Sequence, residues 1–174
     1  RYSGLAMGSL EYSDEVRQVL ILGLGNPLLG DDGIGVRIIE EVKGLALPDG
    51  VTAIEGGTAG LDLIRLMEGS QRVIVVDAAD LGHPPGDVVR FTPSDVRFHT
   101  ADAPLSPHQI GLGEVLALAE ALQVAPAELV IIGIQPSRIE AGLGLSPEVE
   151  GAIHKIIEII LDELKAANLH PAPA

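Results

Sequence analysis

Residues 19–36 read VLILGLGNPLLGDDGIGV. The apolar run Val19-Leu20-Ile21-Leu22 is of strand type; it breaks into Gly23 and Gly25, turns at Asn26-Pro27, and delivers two adjacent acids, Asp31 and Asp32, to the start of a helical pattern. A strand, a tight loop and a helix N-terminus thus follow one another without a spacer. In α/β proteins such a loop lies at the carboxyl end of a strand, the edge where ligands bind. The functional site is expected there, with Asp77 and His108 contributed by later loops.

Working outward, a helix from about Gly33 to Lys43 places Ile34, Ile38, Ile39 and Val42 on one side. Pro48-Asp49-Gly50 is a turn signal before a short strand, Val51 to Glu55. Gly56-Gly57-Thr58 then leads into a helix, Ala59 to Met67, with Thr58 as its N-cap. RVIVVD, Arg72 to Asp77, is apolar without alternation, as a strand covered on both faces must be, and it ends in an acid.

From Ala78 to Pro107 the chain is rich in Pro, Asp and His and has one brief strand, Val88 to Phe91. Long loops in compact domains tend to be functional. Ser106-Pro107-His108-Gln109 carries a helix start signal: Ser at the N-cap, Pro at the first position, and Gln completing a capping box. Leu112, Val115, Leu116, Ala119 and Leu122 continue that helix. ELVIIGI, Glu128 to Ile134, is another buried strand. Ser146-Pro147 opens a last helix, whose Val149, Ile153, Ile156, Ile157, Ile160, Leu161 and Leu164 form one core-facing stripe.

Strands alternating with helices imply a three-layer α/β fold: a largely parallel, twisted sheet with helices on both faces. Residues 1–18 read as an N-terminal tail, 19–165 as a single domain and 166–174 as a C-terminal tail.

Composition narrows the function. The 174 residues are 47% hydrophobic and 2% aromatic, so the core is aliphatic. Cysteine is absent, which removes disulfides, thiolate metal sites and thiol nucleophiles. A formal net charge of −14 repels polyanions, so nucleic acid is not an expected partner. No apolar run approaches the roughly 18 residues of a membrane span, and no charged-then-apolar signal opens the sequence. The expectation is a soluble, cytoplasmic protein with no membrane partner.

The residues able to carry chemistry are few. Asp31 and Asp32 sit where a helix start stabilises acids, so capping is the local alternative to a site role. Asp77 at a strand end has a turn-forming alternative. His108 falls at the second position of its helix, where the macrodipole disfavours the imidazolium and leaves a neutral ring able to offer a nitrogen to a metal. Asp32, Asp77 and His108 converge on the same edge of the expected sheet. Two carboxylates and one imidazole suit a divalent ion such as zinc or nickel, with positions left for water or substrate. His83 and His99 are weaker candidates, His154 belongs to a polar helix face and His170 to the tail. Gly23-Leu24-Gly25 lacks the third glycine of a dinucleotide turn, since Leu28 stands there. No Gly-x-Ser-x-Gly elbow supports a serine triad.

The blocks LGLGNPLLGDDGIGVRIIEEV, EGGTAGLDLI, VIVVDAAD, SPHQIGLGEVLALAEAL, VIIGIQP and LGLSPEVE, in this order, resemble the hydrogenase maturation endopeptidases from about Val19 to Lys165. The resemblance implies a protease that removes a C-terminal extension from the large-subunit precursor of a nickel-iron hydrogenase after nickel insertion. It implies a twisted five-stranded sheet between helices, and Asp32, Asp77 and His108 as ligands of the nickel that the precursor itself carries. Glu replaces the first of these acids in some members, and Asp31 is the neighbouring candidate. Gly56, Gly57 and Thr58 match a motif near the site and are candidates for contact with the substrate backbone, against a plain turn and N-cap.

Two other classes stand beside this one. A GLGNP strand-turn also occurs in peptidyl-tRNA hydrolases, but they want a His and Asn soon after it and a basic face, where this chain has Asp31-Asp32 and a charge of −14. A non-catalytic checkpoint that senses nickel in the precursor is the third, because no dedicated nucleophile is visible.

Overall fold

The computed structural model describes residues 18–58, 60–95 and 112–168. In chain order they form β1 (Val19–Leu24), a 3-10 turn (Gly30–Gly33), α1 (Ile34–Lys43), β2 (Val51–Gly57), α2 (Asp62–Met67), β3 (Arg72–Ala78), β4 (Val88–Phe91), α3 (Leu112–Ala121), β5 (Glu128–Ile134), α4 (Pro147–Glu150) and α5 (Ile153–Ala166). The strands make one sheet in the order β2-β1-β3-β5-β4, parallel except for β4, which runs antiparallel along β5.

Alternation along the strands explains why apolar runs without polar breaks were needed. Val19, Ile21, Ile74, Val76, Ile132 and Ile134 face α1, α4 and α5 in one buried cluster. Their neighbours Leu20, Leu22, Leu24, Val73, Val75 and Ile131 face α2 and α3 in the other. Successive side chains of a strand point to opposite faces, so a strand between two helical layers is apolar throughout. The three-layer expectation holds.

Helix α1 lies unusually close to the sheet. A Cβ on Gly35 would collide with the backbone of Leu24 and with the Val76 carbonyl, and one on Gly23 would collide with Gly35. Glycine at both positions allows the helix to rest on the backbones of β1 and β3 rather than on side chains.

At the amino edge, buried Glu163 of α5 accepts from Arg72 Nη2 at 2.9 Å and from Arg90 Nε at 2.6 Å. It ties that helix to β3 and β4.

Three local expectations change. Thr58 does not cap a helix: β2 continues through Gly57, whose carbonyl accepts from Gly25 N at 2.9 Å, and α2 starts only at Asp62. Continued strand pairing displaces the cap. Leu122 lies beyond the end of α3 and is 57% exposed, so it is not core. The last helix is two: Ser146 caps α4 by accepting from Val149 N, and the chain turns at Gly151 before α5. The apolar stripe survives the break, with Val149, Ile156, Ile160 and Leu164 buried and Ile153, Ile157 and Leu161 packed against them.

Candidate active site

The connection from β1 passes through α1 to β2 on one side, whereas β3 lies on the other. The loops leaving the carboxyl ends of β1 and β3 therefore diverge and open a crevice at the point where strand order reverses, the usual ligand position in such sheets. Asp32 follows β1 and Asp77 ends β3, so both expected carboxylates arrive at this crevice.

The turn after β1 is shaped around Asp32. Gly25 adopts φ 113°, and a Cβ there would strike the Asp32 carbonyl. Glycine permits that conformation and that approach. The chain folds back so that Asn26 N donates to Asp32 Oδ2 at 2.7 Å, while Asn26 Oδ1 accepts from Leu28 N at 2.9 Å. Both Asp31 and Asp32 are fully buried in the 3-10 turn, and neither caps it.

The two acids part company. Asp31 Oδ2 accepts from Ser137 N (2.8 Å), Arg138 N (3.0 Å) and Ser146 Oγ (2.9 Å), and its Oδ1 accepts from Ser146 N (2.6 Å). Burial pushes its pKa up, and these donors more than offset that, holding the carboxyl below its ordinary range. Committed in this way, Asp31 is a structural tie to the loop between β5 and α4, and Asp32 is the acid turned to the crevice turn.

Asp77 is under opposite pressure. It is 6% exposed, and its buried Oδ1 has no hydrogen-bond partner among the described residues. Burial, then the negative charge of Asp32, push its pKa up to about 8, against one backbone bond from Ala78. Two neighbouring buried carboxylates, one with an unsatisfied oxygen among the described residues, are stabilised by a proton or by a cation. The donor set fits a divalent ion.

His108 lies outside the described residues, as do His99 and His170. A short connection takes α3 to the amino end of β5, so Leu112, at the other end of α3, lies toward the carboxyl edge. His108 precedes Leu112 by four residues. Among the described residues no three His, Asp or Glu side chains gather as a metal site. His83 pairs with Asp87 at 3.4 Å and His154 with Glu158 at 3.2 Å, the latter with its side chain 87% exposed.

Gly56 and Gly57 end β2 beside the Gly25 turn, and Thr58 follows them. Gly56 makes room for the Leu24 side chain, and Gly57 uses a positive φ of 53°. One contributor went unread in the sequence. Gln135, buried at the end of β5, accepts from Leu81 N at 2.7 Å and His83 N at 3.3 Å, pinning the loop after Asp77. A polar residue directly after ELVIIGI was the available signal.

Comparison with known proteins agrees with this architecture. The family profile described as hydrogenase maturation protease matches residues 36–163. The hydrogenase 2 maturation protease of Escherichia coli strain K12 is 34% identical over 90% of this chain and 96% of its own. The hydrogenase expression/formation protein HupD of Bradyrhizobium diazoefficiens is 40% identical over 84% of this chain and 78% of its own. The structure of the hydrogenase maturating endopeptidase HybD from E. coli superposes with a TM-score of 0.80 at 34% identity, covering 88% of this chain and 95% of that one. Among the described residues no helix is long and apolar enough to cross a membrane. With family profile, relatives and fold in agreement, the chain belongs to the hydrogenase maturation protease family and is an endopeptidase.

Proposed function

We infer that this endopeptidase removes the C-terminal extension of a nickel-iron hydrogenase large-subunit precursor in the cytoplasm, after nickel has been inserted. In this reading Asp32, Asp77 and His108 recognise the nickel that the precursor carries, so the metal is part of the substrate. The observation that supports it is the unsatisfied buried oxygen of Asp77 beside Asp32. A precursor without nickel brings nothing that takes the place of the proton on Asp77, and recognition and timing become one event.

The chain's own residues divide the work. Asn26 N fixes Asp32 Oδ2, and the loop held by Gln135 follows Asp77. Asp77 releases its proton as the cation arrives, exchanging one positive partner for another. A divalent ion so held would supply polarisation of the scissile carbonyl or activation of water, and a carboxylate acting as general base is the competing source of hydrolysis. Asp31 is excluded as a ligand in this scheme because its oxygens are occupied. Gly56, Gly57 and Thr58 flank the crevice where an extended substrate backbone would run. Membership in an endopeptidase family favours cleavage over a silent checkpoint, and over tRNA ester hydrolysis.

Incubation with nickel-loaded and nickel-free precursor, followed by intact-mass spectrometry, tests the reading. Truncation of the loaded form alone is expected. Binding without loss of mass, or equal truncation of both forms, overturns it.

A further inference from the structure

Two loops are joined edge to edge beside Asp32. Gly142 N donates to Leu28 O at 3.0 Å, Gly30 N to Gly142 O at 3.0 Å, and Asp31 N to Arg138 O at 3.2 Å. The Asp31 carboxylate then clamps Ser137, Arg138 and Ser146 from beneath. The segment 136–146, which has neither helix nor strand of its own, is thereby fixed to the turn that carries Asp32.

From this joined surface stand Leu28, 62% exposed, and Leu143, 79% exposed, with Ile139 at 36%. Neither core cluster draws on any of the three. Three apolar side chains exposed on two loops that are hydrogen-bonded to each other make a patch of the kind that marks a contact surface.

We propose that Leu28 and Leu143, with Ile139, form an apolar lip that seats an apolar stretch of the precursor polypeptide next to the bond to be cut. The proposal rests on the endopeptidase reading of the Asp32 and Asp77 crevice. Leu28 lies four residues before Asp32, so the lip and the proposed site are carried by one loop. A second copy of this chain seated there would obstruct its own substrate, and two chains of −14 charge repel. A less acidic client is the occupant that fits. The Arg138 and Glu140 side chains pair at 3.9 Å, which leaves the lip itself close to neutral.

The test compares the parent with the double variant Leu28→Ser/Leu143→Ser, using nickel-loaded precursor and measuring Kd by fluorescence anisotropy. Exposed positions tolerate serine, so the melting temperature and the zinc titration are expected to match the parent. The precursor Kd should rise about tenfold or more, the loss expected when central apolar anchors are truncated. Leu122→Ser, equally exposed but on the α3 end, should leave Kd unchanged. An unchanged Kd in the double variant overturns the lip. So does sedimentation showing a dimeric parent and a monomeric variant, which would make the patch a self-association face. A parent that binds the precursor but never truncates it refutes the cleavage reading while the difference in Kd still reports on the lip; a parent that does not bind refutes both.

Discussion

Ser146 gives both of its protons to Asp31: its backbone N–H reaches Oδ1 at 2.6 Å and its hydroxyl reaches Oδ2 at 2.9 Å, while the same hydroxyl oxygen accepts from Val149 N. One side chain thus caps α4 and satisfies a buried acid more than a hundred residues away.

Removing the two partners should have unequal effects. Ser146→Ala loses a hydroxyl and a helix cap, about 1 to 3 kcal/mol. Asp31→Ala orphans four donors, two of them on buried Ser146, and should exceed that by about 2 kcal/mol or more. Urea unfolding at neutral pH gives the order. Because the folded Asp31 pKa lies below its ordinary 3.8, its contribution is present above that value and is lost as pH falls through the folded one. Acid unfolding of Asp31→Ala should therefore lack this component.

Asp77 has the opposite sign. Between 3.8 and about 8 the folded chain keeps a proton that the unfolded chain has released, so stability without metal falls as pH rises across that window. Asp77→Asn should flatten the profile and exceed the parent near pH 8.5, by an amount on the order of a few kcal/mol. Thermal melts between pH 4 and about 9 measure it. Added zinc should raise the parent's melting temperature and leave Asp77→Asn unmoved.

His108→Ala and Asp32→Ala are each expected to abolish precursor cleavage and to weaken zinc binding about a hundredfold, since each deletes a donor. Calorimetric titration and the mass-spectrometric assay are the readouts. Normal cutting by either variant would remove that residue from the ligand set.

Gly35→Ala should be destabilising by more than about 4 kcal/mol, or give no folded protein, because the added methyl meets only backbone atoms of Leu24 and Val76. Circular dichroism and soluble yield decide. Gly69→Ala, where a Cβ meets nothing but φ is 77°, should cost about 1 to 2 kcal/mol from strain alone.

What could be read in the sequence was what short-range pattern specifies. Apolar runs without alternation gave β1, β3 and β5 and hence the covered sheet, with Asp77 at the end of β3 and Asp32 in the turn that follows β1. Asp31 escaped because its partners lie 106 to 115 positions away, and a neighbouring acid with a helix ahead looks the same whether it caps or ties. Thr58 misled for a related reason: the Gly25 to Gly57 hydrogen bond that prolongs β2 is tertiary and has no signature in GGT. The division at Gly151 was hidden because the apolar stripe keeps its phase across the break.

The seating of Gly35 on the peptide planes of two neighbouring strands has one more implication. The residue three positions earlier is Asp32, so the turn that carries this acid runs directly into a helix seated on the backbones of β1 and β3. A helix resting on main chain leaves no side-chain layer between it and the sheet, so the acidic turn and the strand ends are one continuous backbone unit.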